Sequence, residues 1–334
     1  VRSRGLGDVY KRQILNRTDC AVLVTDCTLP LGDCEKQLIS IFKEKNIPFI
    51  IAKNKADLLT DIPKEEGAVY VSAKEKTGIE KLKNAVAKLT ETDTMTMKLV
   101  GDLIKPDDMV VLVTPIDSAA PKGRLILPQQ QAIRDVLEAN ACAVVVRETE
   151  LSGVLGRIEK PALVITDSQA FARVSKDTPE DIPLTSFSIL MARYKGFLDA
   201  AVKGVKAIDD LKDGDKVLIS EGCTHHRQCG DIGSVKLPNW LKEYTGKELD
   251  ITLSSGHGFP EELSDFALCI HCGGCMLGSK ELTYRMKCAC DADVPFTNYG
   301  IAIAYMKGIL KRSIEVFPHL VKELEDHNGG QRTY

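Results

Sequence analysis

The chain has 334 residues, of which 44% are hydrophobic, and its formal net charge at pH 7 is −3. This length and hydrophobic content are enough for two or three domains with their own cores, which excludes a disordered chain. Lys and Arg are scattered singly, so there is no basic stripe of the kind that follows a nucleic-acid backbone. No apolar run reaches the roughly 18–20 residues that span a bilayer, and no signal segment opens the chain. We therefore expect a cytoplasmic protein with no nucleic-acid or membrane partner.

Residues 1–13 (VRSRGLGDVYKRQ) are polar and unpatterned, and they end where a strand pattern begins. We expect this stretch to be a non-native, adapter-derived segment, and we exclude it from the fold prediction. The chain would then be an N-terminally truncated piece of a longer protein.

The sequence pattern of residues 14–92 predicts a first α/β unit. The pattern predicts strands at Cys20–Thr25, Pro48–Ala52 and Ala68–Val71 and helices at Glu35–Lys45 and Ile79–Leu89. Short apolar strands that alternate with helices are typical of a parallel sheet.

Two further α/β units follow a polar linker, at residues 97–184 and 185–334. The middle unit has predicted strands at Met109–Thr114, Ala143–Val146 and Ala162–Ile165 and a helix at Gln129–Ala139. The third has predicted strands at Lys216–Ser220, Asp250–Leu253 and Phe266–Ile270 and helices at Phe187–Ala200, Glu281–Lys287, Asn298–Leu310 and Ser313–Glu325. The predicted fold class is α/β throughout.

Two short motifs in the first unit indicate guanine recognition. Asn54-Lys55-Ala56-Asp57 follows a predicted strand, where an Asp carboxylate accepts hydrogen bonds from guanine N1 and N2 and the Lys stem lies over the base. Alone, this motif is equally well explained as a polar turn. The next strand runs into Ser72-Ala73-Lys74, which resembles the guanine-contacting loop of small GTPases. Ligands of parallel sheets bind at the carboxyl ends of the strands, so both motifs are placed for base binding.

The phosphate-binding half of such a domain has no counterpart in this sequence. The chain contains no G-x-x-x-x-G-K-[ST] loop, and Gly246-Lys247 is followed by Glu248. We therefore assign no catalytic residue, and we expect this chain to be inactive in GTP hydrolysis. A Mg²⁺ ion is expected only with the missing elements.

A set of cysteines and histidines in the third unit predicts a metal centre. Cys223 and His225 follow one predicted strand, and His271, Cys272 and Cys275 follow another. A C-x-x-C turn brings two thiolates to one centre, and the glycines between them let the backbone pass close to a cluster. A structural zinc uses similar spacings and stays open as an alternative. A third thiolate with only weak candidates for a fourth ligand favours a [4Fe–4S] cluster with one exchangeable position.

The other cysteines are predicted to pack or to be surface thiols. Cys269 lies inside an apolar strand and is expected in the core. No second motif frames the remaining seven, which are Cys20, Cys27, Cys34, Cys142, Cys229, Cys288 and Cys290.

The combination of these motifs resembles the HydF family of [FeFe]-hydrogenase maturation GTPases. The resemblance extends over nearly all of residues 14–326. It includes the segments APKGRLILPQ (120–129), TSFS (185–188), ARYKG (192–196), EGCTH (221–225) and PFTNYG (295–300).

The resemblance implies a scaffold that assembles or carries the two-iron subcluster of the hydrogenase active site and delivers it to the apo-hydrogenase. Two radical-SAM maturases would supply the ligands of that subcluster. It implies a partial GTPase domain at residues 14–92, a dimerisation domain at 97–184 that forms a homodimer, and a [4Fe–4S] domain at 185–334. Cys223, Cys272 and Cys275 would hold the cluster, with His225 or His271 at the labile position. The rival hypothesis is a GTP-regulated zinc-binding interaction protein.

Overall fold

The computed structural model describes residues 18, 20–44, 47–63, 65, 67–91, 98–116, 125–222, 231–256, 258–260 and 262–326. The chain divides into two compact units, Val1–Met97 and Lys98–Tyr334. Within the described ranges, no helix is long and apolar enough to cross a membrane.

The first unit contains a three-stranded parallel sheet in the order β1-β2-β3. Its elements are β1 (Ala21–Asp26), α1 (Asp33–Glu44), β2 (Phe49–Asn54), β3 (Ala68–Tyr70) and α2 (Ile79–Glu91). The central strand β2 is apolar, and its Ala52 is only 1% exposed. Because the strands are parallel, the predicted guanine motifs emerge at the same edge of the sheet.

The second unit begins with a four-stranded parallel sheet, the middle sheet, in the order β5-β4-β6-β7. Its elements are β4 (Met109–Val113), α3 (Leu127–Glu138), β5 (Cys142–Val146), α4 (Leu151–Leu155), β6 (Leu163–Thr166), α5 (Phe171–Asp177), β7 (Leu184–Ser186), α6 (Phe187–Tyr194) and α7 (Leu198–Gly204).

The C-terminal sheet follows, with four parallel strands in the order β9-β8-β10-β11. Its elements are β8 (Lys216–Glu221), a π-helical turn (Ile232–Lys236), α8 (Leu237–Thr245), β9 (Asp250–Ser255), β10 (Leu268–His271), α9 (Ser279–Asp291), β11 (Phe296–Asn298), α10 (Tyr299–Met306), α11 (Leu310–Ser313) and α12 (Pro318–Asp326).

The two sheets of the second unit have the same topology and form an internal repeat. In each sheet the first strand lies between the second and the third, and the fourth is at the edge. We call residues 104–196 the middle repeat and residues 211–308 the C-terminal repeat. Helices α3 and α8 begin at corresponding Leu-Pro pairs, Leu127-Pro128 and Leu237-Pro238.

Local backbone features also recur at corresponding positions of the repeats. The turn before the first strand places Asp107 (φ 68°) and Gly214 (φ 84°) in the left-handed region. Ser186 and Asn298 cap helices α6 and α10 by accepting from the backbone N–H of the third residue onward. These helices end before Gly196 (φ 80°) and Gly308 (φ 70°). Such repeated detail indicates a duplicated segment rather than two unrelated sheets.

The repeats share one hydrophobic core, which includes Val110 and Leu112 of the middle sheet and Val217 and Ile219 of the C-terminal sheet. Helix α7 packs against β11, while α11 packs against β7. Helices α6 and α10 meet at corresponding positions, because a Cβ added to Gly300 would lie 2.3 Å from the Cβ of Ser188. This reciprocal packing is what a pseudo-two-fold relation between the repeats produces.

The structure confirms the predicted α/β class and its parallel sheets. One helix was predicted at Phe187–Ala200, whereas the structure has α6 and α7, because the left-handed Gly196 ends the first. The last helix begins at Pro318 rather than at Ser313, since proline is favoured in the first turn of a helix. The predicted unit bounds at 97–184 and 185–334 stay a prediction.

Candidate functional sites

The guanine motifs meet at the carboxyl edge of the first sheet. Asn54 ends β2, and its Oδ1 accepts a hydrogen bond of 3.0 Å from the backbone N–H of Ala73. The Ser72 hydroxyl donates to Oδ1 of Asp57 over 2.5 Å. The structure therefore brings together four of the predicted base-contacting residues, and the contacts join one motif directly to the other.

Lys55 lies in the same cluster, in the left-handed region at φ 67°. Its Nζ donates to Oδ2 of Asp26 at the end of β1 over 2.6 Å. That hydrogen bond, with those from Thr28, lowers the pKa of Asp26 to about 2. Asp26 was not predicted from the sequence, because its place in the cluster depends on Lys55, which is 29 positions along the chain. Lys74 is exposed, with its Nζ 3.6 Å from Oε1 of Glu75.

The Asp57 carboxylate is the exposed acceptor of this cluster. The hydrogen bond from Ser72 lowers its pKa below the ordinary value, so the group is ionised at neutral pH. A cavity of about 860 Å³ adjoins the first motif at Ala56 and is lined in part by Ile62, Tyr70 and Lys81. Its described lining includes neither Asp57 nor Ser72, so the polar groups predicted to contact the base do not face it.

The second candidate site lies where β8 and β10 end side by side in the C-terminal sheet. Cys272 directly follows β10, and its backbone N–H donates to the carbonyl of Ser220 in β8 over 2.8 Å. Its Sγ accepts hydrogen bonds from the backbone N–H of Gly222 at 3.1 Å and of Gly274 at 3.4 Å. The predicted ligands Cys223 and His225 lie outside the described residues, but β8 ends at Glu221, two positions before Cys223.

The loop between the two cysteines depends on its glycines. Gly274 has a φ of 60°, and a Cβ there would lie 2.4 Å from Cδ1 of Leu282. A Cβ at Gly273 would meet nothing within 4 Å, so one side of the loop is open. Cys272 and Cys275 are both half-buried. The loop thus leaves room beside two accessible sulfurs.

These features fit a thiolate-ligated metal cluster. Backbone N–H groups that point at a sulfur favour its ionised form, which is the form that ligates iron or zinc. Within the part of the chain that the structure describes, no group of three or more metal-binding side chains is assembled. That part includes only two of the three predicted cysteine ligands, Cys272 and Cys275.

His271 ends β10 with a fully buried side chain. Its Nδ1 lies 2.8 Å from the carbonyl of Cys272, and its Nε2 lies 3.1 Å from Nη1 of Arg285. Burial, assisted by the charge of Arg285 and opposed by the hydrogen bond to the Cys272 carbonyl, lowers its pKa to about 4, so the imidazole is neutral at pH 7. Both ring nitrogens are engaged by protein groups.

Glu221 and Tyr299 border the same site. The Tyr299 hydroxyl lies 3.4 Å from Oε1 of Glu221, and a Cβ added at Gly233 would lie 2.3 Å from that hydroxyl. Burial raises the pKa of Tyr299, and the nearby charges of Glu221 and Cys272 raise it further. The sequence analysis assigned these residues no role, although both belong to the segments that carry the family resemblance.

The remaining described cysteines near the site were predicted to be packing residues or surface thiols. Cys269 is buried in β10, and burial raises the pKa of its thiol. Cys288 is half-buried and Cys290 is exposed, both on α9. The core prediction for Cys269 is therefore confirmed.

Fold and sites together define a parallel α/β protein with a thiolate loop at the carboxyl edge of its last sheet. Residues 99–196 match the family model of the hydrogen maturase F dimerization domain, and residues 199–316 match that of the hydrogen maturase F tetramerization domain. The chain belongs to the hydrogen maturase F (HydF) family and acts in hydrogenase maturation. Both family models describe oligomerization domains, which supports self-association of the chain. Only dimerization was predicted from the sequence. No curated protein matches the chain significantly.

Proposed function

We propose that the chain is a scaffold or carrier for the two-iron subcluster of the [FeFe]-hydrogenase active site. In this proposal Cys223, Cys272 and Cys275 hold a [4Fe–4S] cluster. The observation that carries the proposal is the Cys272 loop, in which two backbone N–H groups donate to one sulfur beside an open glycine. N–H···S hydrogen bonds of this kind stabilise cluster thiolates and tune their potential.

Three thiolates leave one iron with an exchangeable ligand, where an incoming subcluster can be bridged. His225 is the leading candidate for the labile ligand in the protein without cargo. His271 would first have to give up its contact with Arg285, which lies 3.1 Å from its Nε2. Glu221 and Tyr299 lie beside one another near Cys272, and in this proposal they would offer polar contacts to a cargo.

We further propose that the first unit binds GTP through Asn54, Lys55, Asp57, Ser72, Ala73 and Lys74. Support comes from the hydrogen bonds that join the two motifs and from the exposed, ionised carboxylate of Asp57. Guanine presents paired N–H donors to such an acceptor, whereas adenine does not. GTP turnover would time the exchange of partners, and it needs the phosphate loop that this chain lacks.

The partners in this proposal are the apo-hydrogenase, two radical-SAM maturases and further copies of the chain, all in the cytoplasm. Matches to a dimerization and a tetramerization domain support self-association of the chain, and in this proposal the other partners bind to that oligomer in turn.

Anaerobic reconstitution with iron and sulfide tests the cluster proposal. We expect about four irons per chain and, after reduction, an EPR signal of the [4Fe–4S]⁺ type. Stoichiometric zinc without such a signal would contradict the proposal and favour a zinc-binding interaction protein.

Replacement of Asp57 by Asn tests the nucleotide proposal. A hydrogen bond to a charged group contributes about 1.5–3 kcal/mol, so binding of GTP should weaken about 10- to 100-fold in calorimetry. Asp61→Asn is the matched control, because Asp61 is an exposed carboxylate of the same loop. Equal affinities for the two variants would refute the assignment of Asp57.

A further inference from the structure

Arg285 is one of the largest fully buried side chains, with 1% exposure. Its Nε donates to Oε1 of Glu281 at 2.7 Å, one turn earlier on α9. Its Nη2 donates to the carbonyl of Gly256 after β9 at 2.6 Å, and its Nη1 reaches Nε2 of His271 at 3.1 Å. A buried cation is costly unless it is paired and hydrogen-bonded. This one is paired with Glu281, and each of its three nitrogens has a polar partner.

The guanidinium determines which hydrogen bonds His271 can make. Arginine is a donor only, so Nε2 of His271 must accept, and the ring proton must reside on Nδ1. That Nδ1 lies 2.8 Å from the carbonyl of Cys272 and donates to it. Arg285 thereby selects one tautomer and one ring orientation.

The oriented His271 ring restrains the thiolate loop, because it is hydrogen-bonded to the Cys272 carbonyl. The same residue is held through its backbone N–H, which donates to Ser220 over 2.8 Å. Both backbone groups of Cys272 are therefore hydrogen-bonded, and its Sγ accepts hydrogen bonds from the backbone N–H groups of Gly222 and Gly274. A chain of contacts thus runs from Arg285 through His271 to the metal-binding sulfur.

The middle repeat has the same sheet topology without the contacts from Arg285 to Cys272. When the two sheets are compared through the pairing of β6 with β4 and of β10 with β8, Thr166 occupies the position of His271, and Asp167 that of Cys272. The helix that follows is α5, with seven residues, where the C-terminal repeat has α9, with thirteen. Arg285 lies on this longer helix. The imidazole–guanidinium pair therefore accompanies the cysteines and is not a requirement of the sheet.

We propose that Arg285 is a positioning residue of the cluster site, acting through His271, and that His271 is a hydrogen-bonding residue rather than a metal ligand. This inference rests on the proposed cluster at Cys272. It assigns the role of His271 to holding the Cys272 peptide, and it leaves the exchangeable position to other groups.

The first test uses the metal-free chain, so it does not depend on cluster loading. In ¹⁵N NMR of histidine-labelled protein, His271 should show the neutral Nδ1–H tautomer, with Nε2 as acceptor. In Arg285→Met this tautomer signature should be lost, and Arg285→Lys should restore it in part. An Nε2–H tautomer in the unsubstituted chain would overturn the proposal even if the protein binds a cluster normally.

The second test uses the reconstituted cluster. Loss of a partner outside the ligand shell typically weakens metal binding about 10- to 100-fold, so Arg285→Met should release iron to a chelator about that much faster. Its cluster potential should also shift. Arg312→Met is the control, because Arg312 donates to the carbonyls of Ser175, Thr178 and Pro179 in the middle repeat. Equal release rates and potentials for the two variants would contradict the positioning role.

His271→Asn separates a positioning residue from a ligand, because asparagine can keep the donor toward Cys272. The reduced cluster should keep its ¹⁴N hyperfine couplings in pulsed EPR. Loss of a strong coupling in this variant alone would identify His271 as a ligand and refute the inference. Absence of any cluster in the unsubstituted chain would refute the proposed function instead, while the tautomer test would still stand.

Discussion

The middle and C-terminal repeats have one topology and two different carboxyl edges. Where β4 and β6 end, the middle repeat has Thr114 and Asp167, whereas the ends of β8 and β10 carry Glu221 and Cys272. In both sheets these two strands flank the point at which the strand order reverses. Loops at such a point diverge and leave a crevice, which is where open α/β sheets bind ligands. The shared fold therefore forms the crevice, and a few side chains at its edge determine the chemistry of each repeat.

The largest effect is expected from Cys272→Ser, which should abolish cluster binding, because it removes a thiolate from the proposed three-cysteine site. Iron content and visible absorption after reconstitution measure this. Asp167→Ser, the corresponding change in the middle repeat, is the control and should retain the cluster. The dimer should persist in both variants, since neither residue is in the shared core. Loss of self-association together with the cluster would contradict the expectation that self-association does not depend on the cluster site.

A smaller effect is expected where the repeats meet. Gly300→Ala should destabilise the protein by about 1–3 kcal/mol in urea unfolding, because its Cβ would lie 2.3 Å from that of Ser188. Ser188→Gly in the same chain should return part of this loss, with a coupling of about 0.5–3 kcal/mol. Strictly additive effects would mean that α6 and α10 do not cross at these positions.

The smallest effect concerns the two helix caps. Ser186→Ala should cost about 1 kcal/mol, because its side chain accepts one backbone N–H at the start of its helix. Asn298→Ala removes the same kind of cap and also the hydrogen bond from Nδ2 to the carbonyl of Ser188, so it should cost about 1 kcal/mol more. Thermal unfolding measures both, and a loss from Ser186→Ala that exceeds the loss from Asn298→Ala would weaken the equivalence of the two caps.

The sequence predicted the longer strands because apolar runs are local signals, but it missed the three-residue edge strands β7 and β11. The guanine motifs are local signals too, and their role in base binding stays a prediction. Apolar runs locate β4, β8 and β10, and the motif at Asn54 requires only four adjacent residues. The cysteine pair after β10 was found for the same reason, since C-x-x-C spacing is visible without a structure.

The repeat and the Arg285 contacts were missed because their signals are not local. The repeats correspond in short segments such as PLTSF and PFTNY, about 110 residues apart, and differ in the loops between them. Arg285 looks in sequence like an exposed partner of Glu281 at the spacing of a surface ion pair. Its burial becomes visible only in the structure, where it contacts the Gly256 carbonyl after β9 and His271 at the end of β10. Asp26 was missed because its partner Lys55 is 29 positions away.

EPR of the reduced, reconstituted chain with and without added imidazole tests whether one iron of the proposed cluster has an exchangeable ligand. A three-cysteine site predicts a [4Fe–4S]⁺ signal whose g values shift when imidazole replaces the labile ligand. A spectrum that does not respond, or a site filled by zinc with no signal, would contradict the account.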